Sequence, residues 1–163
     1  MSETPILFIH GLMSSSQGIK AVMLRGLFPH ILIPNFEGAL DERMAQLAPI
    51  LADGSDWTII GSSMGGLMGA IFACQHPQQV QKLILLAPAL IWPDFADHPP
   101  APISTPTIVY HGRRDTVVPL EPVRVLCERV FINLTFHAVD DDPRLLETVQ
   151  VINWPSLLNR GAV

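Results

Sequence analysis

The stretch Trp57-Thr58-Ile59-Ile60-Gly61-Ser62-Ser63-Met64-Gly65-Gly66 decides how the rest of the chain is read. Trp57–Ile60 are aromatic or β-branched and suit a strand. Met64–Gln75 is small and apolar, which suits a helix packed closely on a sheet. Between them stands Gly-x-Ser-x-Gly. A serine on a strained strand-to-helix turn leaves room only for glycine two positions to either side, where the two backbones crowd together. The turn exposes the hydroxyl at the carboxyl edge of the sheet. It also aims the N–H groups of the helix start at a reacting oxygen. Ser63 has glycine at both flanking positions and Ser62 does not, so Ser63 is the candidate nucleophile. A plain glycine-rich turn has the same spelling; the strand before it and the helix after it favour the nucleophile.

Short, continuous apolar runs elsewhere read as buried parallel strands: Ile6–His10, Ile31–Phe36, Lys82–Ala87, Thr107–His111 and Phe131–Val139. Segments of helical spacing alternate with them, at 40–53, 64–76, 121–129 and 145–158, the last interrupted at Trp154-Pro155. Strands alternating with helices imply a three-layer α/β sandwich on a mostly parallel sheet. No linker or repeat divides the chain, so residues 1–163 read as one domain. The proline-rich connection Ile91–Pro106 is too short for a helical cap.

Composition narrows the classes of function. Apolar residues make up 48% of the chain and charged residues 15%, which excludes a disordered chain. The formal charge is −5 and the cations are scattered, so nucleic acid is not an expected partner. No apolar run approaches the ~20 residues that span a bilayer. Met1-Ser2-Glu3-Thr4-Pro5 lacks the basic start of a signal peptide. A cytoplasmic protein with no membrane partner is the expectation. Cys74 and Cys127 lie far apart in helical segments and read as reduced, buried thiols. Neither they nor the acidic run Asp140–Asp142 has metal-ligand spacing, and no cofactor is expected; the acidic run reads as a solvated loop.

Two further segments follow strands. His10-Gly11-Leu12 follows the first, and Gly112-Arg113-Arg114-Asp115-Thr116-Val117-Val118-Pro119 follows the fifth. Together with the serine turn they resemble the α/β-hydrolase superfamily, most closely its small capless bacterial serine esterases. The resemblance implies a six-stranded sheet in the order 2-1-3-4-5-6. It implies an oxyanion hole from the backbone amides of Leu12 and Met64, and Asp115 as the acid that orients a histidine base. His10 is expected to be structural.

The resemblance also implies a histidine after the last strand. Position 143, within Asp140-Asp141-Asp142-Pro143-Arg144-Leu145, is proline. Proline accepts no proton. Among the six histidines only His137 follows Asp115, and it serves as base only if its strand ends early and bends toward the sheet edge. His98 is a remoter alternative. Two readings stay open: a serine hydrolase, impaired or with an atypical base, that acts on a small or medium acyl ester or thioester; and a non-catalytic binding protein on the same fold.

Overall fold

The computed structural model describes residues 4–158. Met1, Ser2 and Glu3 of the N-terminal reading, and residues 159–163 of the expected domain, lie outside the described residues. The elements run β1 (Ile6–Ile9), α1 (Ile19–Leu27), α2 (Leu40–Leu51), β2 (Trp57–Ser62), α3 (Met64–Gln75), β3 (Val80–Leu86), α4 (Pro93–Ala96), β4 (Thr107–Gly112), α5 (Leu120–Val130), β5 (Leu134–Val139), α6 (Leu146–Val151) and α7 (Trp154–Leu158). The strands form one parallel sheet in the order β1-β2-β3-β4-β5.

The sheet therefore has five strands where six were expected. The missing one, Ile31–Phe36, does lie beside β1, so the expected order holds, but it makes a single bridge, Leu7 to Leu32. The Phe8 N–H donates to the Leu32 carbonyl and the Leu32 N–H to the Ile6 carbonyl, both at 2.9 Å. Pro34 then has no N–H to offer, and the Phe36 N–H turns to His10 Nε2 instead. The last strand also starts later than expected. Phe131 pairs with Ile103 in an isolated bridge, and continuous pairing begins only at Thr107 with Leu134.

Both faces of the sheet are buried, which explains the continuous apolar strands. Leu7, Ile9, Ile59, Leu83 and Leu85 point into one core, shared with α2, α3 and α5. Phe8, Ile60, Ile84 and Leu86 point into the other, shared with α1, α6 and α7. Helices 40–51 and 64–75 thus cover the same face. Right-handed crossovers require this. From the Leu32 bridge across β1 to β2, and on to β3, the chain moves in one direction. From β1 to the bridge it moves the other way, so α1 lies opposite. The connection after β3 holds only the short α4, which seats Phe95 in the core; among the described residues no cap domain covers the carboxyl edge. Among the described residues no helix is long and apolar enough to cross a membrane. Cys74 and Cys127 are free thiols; burial pushes the Cys74 pKa up to about 11. Burial, with the Glu128 charge, pushes Cys127 up to about 12.

The second core is closed by Trp154, whose indole N–H donates to the Val149 carbonyl at 2.9 Å. Trp154→Ala is expected to lower the unfolding free energy by about 3–5 kcal/mol in urea denaturation. A loss below about 1 kcal/mol would show that α7 contributes little to that core.

Candidate active site

Ser63 sits between β2 and α3 with φ 53° and ψ −115°, a conformation costly for any residue with a Cβ. The strain is held from three sides. The Ser63 N–H donates to the Leu86 carbonyl at 2.9 Å. Its own carbonyl accepts from Leu67 N–H at 3.1 Å and Ala89 N–H at 3.0 Å. A Cβ at Gly61 would collide with the Gly65 backbone, and one at Gly65 with the Ile9 carbonyl. Both glycines are thus required by close backbone approach.

The loop after β1 runs directly against the serine. A Cβ built on Gly11 would lie 3.3 Å from Ser63 Cβ and 4.0 Å from Ser63 Oγ. The next residue, Leu12, lines the same cavity as Ser63 and Met64. His10 fixes this loop. Its Nδ1–H donates to the Gly11 carbonyl at 2.7 Å, and its Nε2 accepts the Phe36 N–H at 2.9 Å. Arg43 fixes it from the far side, donating through Nε to the Gly38 carbonyl at 2.8 Å and through Nη2 to the Leu12 carbonyl at 3.4 Å. Arg43 was missed in the sequence. Its one signal is position: with Leu40, Leu47 and Leu51 it occupies the buried stripe of α2.

Asp115 lies at the same sheet edge, past β4. Its Oδ1 accepts the N–H groups of Val117 at 2.9 Å and Val118 at 2.8 Å, and Val118 lines the cavity with Ser63. Its Oδ2 is buried and has no hydrogen-bond partner. His111 Nε2 comes within 3.4 Å of it, but the proton on that nitrogen is directed to the Val118 carbonyl at 2.7 Å.

The loop carrying Pro143 is not simply solvated. Asp141 is buried, and its Oδ2 accepts the Thr148 hydroxyl at 2.7 Å and the Thr148 N–H at 2.9 Å. Burial pushes this carboxyl up, but the bonds from Thr148 and the Asp142 N–H outweigh it, and the net shift is down. These bonds hold Pro143 in the wall of the cavity with Ser63. The cavity has a volume of about 700 Å³.

His137 is not brought to it. β5 continues to Val139 without an early bend, and the ring stacks on Tyr110 with centroids 4.6 Å apart. His98 lines a different depression, beside Asp94 and Cys74. Of the six histidines, His10 alone lines the Ser63 cavity, and both its ring nitrogens are engaged.

Residues 51–105, which span the serine turn, match the family described as the alpha/beta hydrolase fold. The mouse alpha/beta hydrolase domain-containing protein 10 superposes at a TM-score of 0.77 and 20% identity, over 96% of this chain and 87% of that one. The chain has the α/β-hydrolase fold. A monoacylglycerol lipase from Paleococcus ferrophilus matches at a TM-score of 0.69 and 16% identity, with 96% of each chain covered. An epoxide hydrolase from Bacillus megaterium matches at 0.73 and 12%, over 97% of this chain and 94% of that one. No curated protein matches the sequence. A lipase and an epoxide hydrolase on one fold leave the chemistry of this α/β-hydrolase-fold chain to its own residues.

Burial pulls the His10 pKa below its usual value, and the Arg43 charge adds to this against the Gly11 carbonyl. Below about pH 6.5 the unfolded chain then binds more protons than the folded one, so stability is full above that pH and falls beneath it. His10→Gln is expected to flatten the fall in unfolding free energy between about pH 6.5 and pH 5. An unchanged slope would mean that the ring titrates as if exposed.

Proposed function

We propose that this chain is a serine hydrolase of carboxylic esters or thioesters whose acyl-enzyme forms at Ser63 and whose turnover is impaired because Pro143 stands where a base is needed. The observation that carries the reading is the pairing of a strained serine at the cavity with Asp115 at the same sheet edge, whose buried Oδ2 accepts no hydrogen bond. A carboxylate oriented by two backbone N–H groups, with its second oxygen left over, suits the support of an imidazole. The apolar, uncapped cavity suits a small or medium acyl group.

The chemistry follows. Ser63 Oγ attacks the ester carbonyl carbon, and its proton passes to water, because no free imidazole lines the cavity. The backbone amides of Leu12 and Met64 stabilise the oxyanion. The ester C–O or thioester C–S bond then breaks, the alcohol or thiol leaves with a proton, and water hydrolyses the acyl-Ser63 bond. A second reading, a binding protein without turnover, is favoured by Pro143 itself. The kinship in fold with a lipase supports the ester reading without deciding it.

A fluorophosphonate probe separates the two, because it needs an exposed, activated serine and an oxyanion hole but no particular substrate. Slow labelling over hours, mapped by mass spectrometry to Ser63 and absent in Ser63→Ala, is the expected result. No adduct at Ser63 after prolonged incubation would leave the binding protein as the better reading.

A further inference from the structure

The cavity beside Ser63 has an apolar mouth. Leu12, Met13, Ile19, Ile91, Trp92 and Val117 line it, and each is exposed by more than a third. Its charged lining runs against the composition of the chain. Only Lys20 and Arg144 among the lining residues are charged, and both are cations, in a chain of formal charge −5.

The two differ. Arg144 is paired, with Nη2 3.2 Å from Asp142 Oδ2. Lys20, in the first turn of α1, is half-buried and has no hydrogen bond or ion pair from its ammonium among the described residues. Burial pulls its pKa down, while the charges of Asp141 and Asp142 pull it up and Arg144 pulls it down again. Those carboxylates are committed elsewhere, Asp141 to Thr148 and Asp142 to Arg144. A partly desolvated ammonium without a contacting anion is costly, and an arriving carboxylate removes that cost through a charge-assisted hydrogen bond.

We propose that Lys20 is a subsite for a carboxylate at the far end of the acyl group presented to Ser63. The ligand is then a half-ester or half-thioester of a short dicarboxylic acid, with its alcohol or thiol portion against the apolar mouth. One unpaired cation suits one carboxylate. A phosphate dianion would meet a single counter-charge with Asp141 and Asp142 close by. The placement of the ester at Ser63 rests on the hydrolase reading above; the carboxylate subsite does not.

The test compares 4-nitrophenyl hemisuccinate with 4-nitrophenyl butyrate, which match in chain length and differ in the terminal charge. Acylation of Ser63 in the full chain is followed by peptide mass mapping, with Ser63→Ala as the background for lysine acylation. The hemisuccinate is expected to acylate Ser63 about tenfold faster. The ratio falls to unity in Lys20→Met and persists in Lys20→Arg. Because the readout is a ratio of two esters on one protein, a partly damaged variant does not mimic the result. Equal rates on the native chain, or a preference that survives Lys20→Met, would overturn the proposal. If neither ester acylates Ser63, the hydrolase reading fails, and calorimetry with monoethyl succinate decides the subsite. Binding lost in Lys20→Met supports it; no binding, or binding indifferent to Lys20, overturns it.

Discussion

A Cβ atom at Gly65 would fall on the carbonyl of Ile9, and one at Gly61 on the backbone of Gly65. This three-way backbone contact, between the end of β1, the end of β2 and the start of α3, is what the site depends on. It lets α3 begin at the sheet edge with no spacer. It holds Ser63 at a positive φ that its neighbours' hydrogen bonds maintain. It brings the His10-Gly11-Leu12 turn within van der Waals reach of the serine. Removing the contact would separate Ser63 from the Leu12 loop, because both reach the cavity through the same crowded junction.

The Asp115 side of the sheet edge is built independently. Val117 and Val118 grip one oxygen of Asp115, and the Thr148 bonds of Asp141 fix the neighbouring loop. Neither set of bonds involves the ring of Pro143. The loop is therefore preorganised by residues on either side of the position that carries no proton acceptor. A buried carboxylate oxygen with no hydrogen-bond partner costs free energy in any folded protein. Asp115 stands past β4, at the sheet edge where Ser63, Val118 and Pro143 share a cavity.

Much of this was legible because backbone crowding dictates residue type. Glycine at 61 and 65, small residues along α3 and continuous apolar strands each follow from a steric demand that has few chemical solutions. The strand expected at Ile31–Phe36 was misread because apolar content says nothing about which N–H groups are free; Pro34 and the diversion of the Phe36 N–H to His10 ended its ladder after one bridge. Asp141 was read as solvent-facing because adjacent carboxylates look alike in sequence, while Thr148 selects one of them from seven residues away. His137 was the one histidine in the right order along the chain, yet order does not fix the direction of a side chain in an edge strand. Lys20 and Arg43 had no motif to mark them. The fold alone sets Arg43 against the Leu12 carbonyl and Lys20 in the cavity wall.

The most direct measurement is the steady-state hydrolysis of 4-nitrophenyl acetate by Pro143→His, with the native chain and the double variant Pro143→His, Asp115→Asn alongside. If the framework is complete, the single substitution supplies an imidazole between a set carboxylate and a set serine. Turnover should then rise by about a thousandfold or more, and most of the gain should vanish without the Asp115 carboxylate. No gain in a folded Pro143→His protein, or a gain that ignores Asp115, would contradict the assignment of Ser63 and Asp115 to one catalytic unit.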